Sequence, residues 1–281
     1  MSADSRRAAA GVRAAKSRVF ASSALARTVL NAEATMSRTP ASEFAAALGV
    51  SFIPERSFRR FAGIAALVSI VPAFASLLVA LPAVDWNFDT LADMMLFLKS
   101  GERGAALGRW AMVFDLFGYY LMIAPAVIYV GRGLRARSPL WARLFTGSLL
   151  AYVLVGAIGA AVLAAALPAL MIAHVHAAPA ERATIEIVYR AVTDAVYGGL
   201  WNLLEEILAG VGWLGFGWME RTRRPWLGHL TIVLGLACLI DGLANAVGAK
   251  AIADAGLYAY LVLAPVWAAW VGVNLLRERE G

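Results

Sequence analysis

YGGLWNLLEEILAGVGWLGFGW, running from Tyr197 to Trp218, is the stretch whose reading decides the fold. A helix of this length crosses roughly 30 Å of hydrocarbon. Asn202, Glu205 and Glu206 nevertheless stand near its middle, and the run contains no basic residue to pair with them. A carboxylate facing hydrocarbon is costly, so the pattern around the acids matters. Leu200, Leu204, Ile207, Val211, Leu214 and Trp218 recur at alternating spacings of four and three, one continuous apolar stripe on a helix. Gly198, Gly199, Asn202, Glu205, Glu206, Ala209, Gly210 and Gly217 gather on the opposite side. One face suits lipid and the other a protein interior, so the segment is predicted to bury an acidic site.

The rest of the chain calls for the same solvent. Hydrophobic residues fill 61% of its 281 positions, beyond the usual range of soluble domains. They concentrate in runs of about twenty residues, at Phe61–Val84, Trp110–Gly131, Leu144–Leu167, Tyr197–Met219, Leu227–Gly248 and Gly256–Leu276. Barrel strands are half as long and alternate in polarity, which these runs do not. The expected fold class is all-α: a polytopic membrane protein with six transmembrane helices.

A formal charge of +6 in a soluble chain would suggest nucleic acid. Here the positive-inside rule accounts for it, and the expected partner is the lipid bilayer with no nucleic acid. Arg56, Arg59 and Arg60 precede the first run. Arg132, Arg135, Arg137 and Arg143 follow the second, and Arg221, Arg223 and Arg224 follow the fourth. The alternate links are poorer in arginine, so both termini are expected to be cytoplasmic. The Ala-, Gly- and Arg-rich wording fits a bacterial inner (plasma) membrane. Residues 1–58 read as a basic N-terminal segment, largely disordered or interfacial, and 59–281 as the six-helix domain. Ser5 to Ala32 carries arginines and no acid, a composition shared by targeting segments; a basic tail, or an extension upstream of Met36, is the favoured reading. The single cysteine, Cys238, excludes an internal disulfide and a CxxC metal site.

Between the runs, Asp89 or Thr90 is expected to cap a short helix that ends near Ser100–Gly101. The wording YLMIAP from Tyr120 to Pro125 returns as YLVLAP from Tyr260 to Pro265. Chance over six letters is favoured over a duplication, and each proline is expected to kink its helix. The comparison sets Asp115 level with Asp254, at the outer boundary. The third span, with Gly156, Gly159, Ala160 and Ala164, is built for close helix packing and is expected to end at Pro168. His174 and His176 beyond it read as an exposed pair, in preference to a zinc site on an extended stretch. Arg182, Glu186, Arg190 and Asp194 form one row at i,i+4 spacing, a solvated helix face running directly into the fourth span.

The fifth span repeats the design of the fourth. Thr231, Gly235, Cys238, Asp241, Gly242 and Asn245 lie on one side, and Leu230, Val233, Leu236, Ile240, Leu243 and Val247 on the other. At 1.5 Å per residue, Glu205 and Glu206 lie about 12–14 Å below the outer end of the fourth span and Asp241 about 10 Å below that of the fifth. Asn202, Glu206, Asp241 and Asn245 can therefore converge in the outer half, with Glu205 turned about 100° away toward another helix. Asp115 completes the candidate ligand-binding set.

The paired Glu205 and Glu206, with Asn245 on the next span, resemble the intramembrane abortive-infection (CAAX-processing-type) proteases. In that family the pair is followed by an arginine, with a histidine and an asparagine on later spans. Ile207–Gly210 contains no arginine here, and the position four before Asn245 is Asp241. Without that arginine and histidine, the family's metal and general-base chemistry does not carry over residue by residue to this chain. The favoured expectation is a small carrier or ligand-binding membrane protein for a cation, a proton or an amine-bearing ligand, without a cofactor, in an outward-facing acidic cavity. An intramembrane metal-dependent hydrolase and a membrane scaffold or assembly subunit are the alternatives. An oligomer is compatible with each.

Overall fold

The computed structural model describes residues 55–87 and 94–277, and these are mainly helical, with no strand among them. The basic segment expected over 1–58 lies outside them except for its last residues, as do Asp89 and Thr90. The helices are α1 (Glu55–Val79), α2 (Met94–Leu98), α3 (Gly101–Asp115), α4 (Ala124–Leu134), α5 (Pro139–His176), α6 (Pro179–Thr193), α7 (Glu206–Glu220), α8 (Pro225–Ala246) and α9 (Lys250–Arg277). Wider i→i+5 turns join α3 toward α4 (Leu116–Leu121) and α6 to α7 (Asp194–Glu205).

Five stretches are long and apolar enough to cross a membrane: Glu55–Val84, Gly101–Leu134, Pro139–His176, Pro225–Ala246 and Lys250–Arg277. Their outer faces carry what lipid would cover: Phe61, Val71, Leu154, Leu236, Ile240 and Leu243 are exposed. The chain is thus a polytopic α-helical membrane protein. The Tyr197–Trp218 stretch lies in a continuous helical rod, α6 into α7, but its acids, asparagine and glycines keep it out of that apolar set. It is instead flanked along α7 by α5 and α8.

Packing follows chain order around a ring. The α3–α4 arm lies between α1 and α5, α7 between α5 and α8, and α9 closes the ring by packing on both α8 and α1. Glycines set the closest approaches. A Cβ on Gly217 would stand 2.7 Å from the Gly228 carbonyl oxygen, and one on Gly272 would stand 2.9 Å from that of Gly63. A Cβ on Gly256 would reach the Asp241 backbone, and one on Gly118 the backbone of Ala73. The small residues of α5 act differently from expectation. Gly156 seats the ring of Tyr120 and Gly159 the indole of Trp201, so this face receives aromatic side chains where close approach of a helix backbone was expected.

Several boundaries depart from the sequence reading. The second membrane-length stretch begins at Gly101, whose φ of +68° lets the chain turn out of the α2 link. Asp115 therefore sits about 20 Å along its helix, whereas Asp254, with which the repeat aligns it, lies in the first turns of α9. α5 continues through Pro168 to His176; a proline removes one hydrogen bond but does not oblige a helix to stop. His174 and His176 are then two residues apart on a helix and point to different sides. His174 meets Glu186 of α6 at 3.0 Å, and His176 meets Glu102 of α3 at 3.0 Å. That also takes Glu186 out of the expected charge row. The two six-letter repeats take different backbones: Tyr120–Pro125 contains a widened turn and a break, whereas α9 runs unbroken through Pro265.

Gly118→Ala is expected to lower the unfolding temperature in detergent, by an amount corresponding to about 1–3 kcal/mol, because the new methyl meets the α1 backbone. Gly147→Ala, where a Cβ meets nothing within 4 Å, is expected to leave it unchanged. Equal melts for the two variants would count against the packing described.

Candidate functional site

The ring closes around the acids. Glu205, Glu206 and Asp241 are buried at 2%, 4% and 1% exposure. The reason is local. On α7 and α8 the small-residue faces turn inward, and Val211, Trp218, Val233, Leu236, Ile240 and Leu243 turn outward, as does Leu204 just before α7. Gly198 and Gly199, placed on the inward face by α-helical periodicity, are exposed. They lie in the widened Asp194–Glu205 segment, where the extra residue per turn shifts the phase that a 3.6-residue period predicts.

The adjacent glutamates face different neighbours. Tyr120, from the widened turn of the second stretch, donates its hydroxyl to Glu205 Oε2 at 3.3 Å. Glu206 packs on α8: its Cβ lies 3.1 Å from where a Cβ on Gly242 would stand, and the Cys238 thiol lies against its carboxyl. Asp241 accepts a hydrogen bond from Asn245 Nδ2 at 2.6 Å. The acids nonetheless share one electrostatic environment. Glu205 interacts with Glu206, Asp115 and Asp241, and Glu206 with Asp241. Lys250 and Asp254 also act on Asp241, but they form their own exposed pair at 3.2 Å. One oxygen on each of Asp115, Glu206 and Asp241 is buried without a hydrogen-bond partner among the described residues.

The structure thus brings together Asp115, Glu205, Glu206, Asp241 and Asn245. Asn202 is half-buried, and its side chain forms no hydrogen bond among the described residues. Asp115 ends α3 immediately before one widened turn, and Glu205 ends the other. Such turns free backbone groups from the regular ladder and recur at functional sites.

An aromatic and hydroxyl cluster surrounds the acids. Tyr152 donates to the Tyr119 carbonyl at 2.8 Å, so the 2.8 Å contact between the Tyr152 and Tyr260 hydroxyls has Tyr260 as its donor. Tyr119 in turn donates to the Leu261 carbonyl at 3.1 Å. Trp213 stacks at a tilt on Trp267, centroids 4.4 Å apart, and its own indole N–H has no partner. Tyr152 and Trp213 were not singled out from the sequence. A signal was available for Trp213, which lies seven residues after Glu206 and so on its face.

These rings fill the middle of the bundle. The two best-formed cavities each have room for about one water molecule, and neither is lined by the candidate acids. An organic ligand takes a pocket of about 300–1,000 Å³. Among the described residues, no three His, Cys, Asp or Glu side chains stand where they could hold one metal ion. Comparison with protein families, with curated proteins and with solved structures finds no match for this chain.

Removing the hydroxyl in Tyr120→Phe leaves Glu205 without its donor and is expected to destabilise the fold by about 1–3 kcal/mol. In the Glu205→Gln background the same change should cost measurably less. Additive losses in a double-mutant cycle of thermal unfolding would show that the two groups are not coupled.

Proposed function

We propose that this chain is a six-span protein of the bacterial inner (plasma) membrane, with both termini cytoplasmic, and that it carries protons on Glu206 and Asp241. The observation that carries the reading is the pair of buried, unpartnered carboxyl oxygens on the facing small-residue surfaces of α7 and α8. No basic side chain is hydrogen-bonded or ion-paired to either acid among the described residues. Several negative charges held this close in a low-dielectric interior are not tolerated together. The cluster must take up positive charge, and a proton is the one cation that needs neither a cavity nor a coordination shell. The close packing of Tyr120, Tyr152 and Trp213 speaks against an amine-bearing ligand for the same reason.

The sixth span in this reading is Asp194–Glu220, roughly 40 Å long as a helix and enclosed on two sides by α5 and α8. The orientation follows the arginines. Glu55 pairs with Arg132 at 3.4 Å, and Arg137 bonds to Thr222 at 2.7 Å, so the start of α1 and both arginine-rich links share one end. The opposite end mixes signs in Glu102, Glu186, Lys250 and Asp254, and the positive-inside rule assigns the arginine end to the cytoplasm.

Purified protein in liposomes loaded with a pH-sensitive dye is expected to dissipate an imposed proton gradient. Glu206→Gln and Asp241→Asn should each slow the rate at least tenfold while melting close to the parent. Rates equal to the parent's in both variants would remove the proposal.

A further inference from the structure

The arginine end carries a surface that the acidic cluster does not explain. Arg137, between α4 and α5, bonds to the Met219 carbonyl and to Thr222 Oγ1, and so ties that link to the one between α7 and α8. Other guanidinium groups here also have partners within the chain. Arg132 reaches Glu55, Arg224 lies 3.7 Å from the buried Glu220, and Arg221 stands 3.5 Å over the Trp218 ring. Arg135, Arg143 and Arg223 are different. All three are exposed, and none of their guanidinium groups forms a hydrogen bond or ion pair among the described residues. Of the acids at this end, Glu55 and Glu220 already have arginine partners.

The setting of these charges identifies what they would meet. Trp141, Trp218 and Trp226 are exposed at 54%, 61% and 78% on the same links or the helix ends beside them. Exposed indoles of this kind belong at the boundary between hydrocarbon and headgroups. A guanidinium fork matches the geometry of a phosphate in a two-point hydrogen bond. We propose that Arg135, Arg143 and Arg223 form a docking surface for the phosphodiester headgroups of anionic phospholipid, with the three tryptophans setting its depth. The partner is lipid because the uncompensated charge lies beside rings that need an apolar layer next to it; a free phosphate has no use for them. This surface is independent of proton carriage by Glu206 and Asp241.

The full chain, delipidated in neutral detergent, can be titrated with phosphatidylglycerol and with phosphatidylcholine and read by native mass spectrometry. The parent is expected to prefer phosphatidylglycerol at least tenfold. Each Arg→Gln change at 135, 143 or 223 should cut that preference about fivefold, with an unchanged melting temperature. Raising the salt concentration should weaken the preference in the parent, a reading that needs no variant. Millimolar inorganic phosphate should leave the bound lipid in place. Absence of preference in the parent, or full preference in the Arg135→Gln/Arg143→Gln/Arg223→Gln triple variant, would overturn the proposal. Displacement of the lipid by inorganic phosphate would also overturn it, by showing a site for a soluble anion.

Discussion

Carboxyl groups shut inside a ring of apolar helices, without a basic partner among the described residues, constrain nearly everything else in this molecule. An uncompensated buried charge costs several kcal/mol even after relaxation, so the surrounding structure must supply hydrogen bonds, charge neutralisation or both. Tyr120 supplies a donor to Glu205 and Asn245 one to Asp241. Glu206 has only the weak donor of Cys238 against it, and its second oxygen has no partner. The carboxyls are thus unequally served, and Glu206, on α7 against α8, is the least served of these three.

The scaffold around the acids uses two kinds of small residue. Between α7 and α8, α8 and α9, and α9 and α1, glycines bring backbones together, and the contacts run from helix to helix through main-chain atoms. In lipid, where apolar side chains gain nothing by leaving solvent, such close dispersion contact is a main source of helix association. On α5 the glycines instead make room for Tyr120 and Trp201. The first arrangement closes the ring, and the second fills it. Because rings and hydroxyls occupy the centre, the interior is polar in places without being open.

The two ends of the bundle are built for different surroundings. At one, arginines bond across links and stack on tryptophan, and some keep their charge exposed. At the other, histidine–glutamate contacts tie α5 to α6 and to α3, so the helical rod leading to Glu205 is anchored to its neighbour at its far end. The widened turns lie between these ends, next to Asp115 and Glu205.

The amino-acid pattern alone determined the solvent, the helical class and the inward faces of α7 and α8. Apolar runs of membrane length and the separation of Leu204, Val211 and Trp218 from Ala209 and Gly210 are local properties of a 3.6-residue period. The same pattern brought Asp241 to the level of Glu206, because rise per residue is fixed. Only the tertiary structure decided the rest. The displacement of Gly198 and Gly199 comes from widened turns that composition does not mark. The seating of Tyr120 on Gly156, its bond to Glu205 and the Tyr152–Tyr260 contact join residues far apart in the chain, and no periodicity records which helix becomes whose neighbour. Local geometry set the direction in which each acid points; packing around the ring decided what each one meets there.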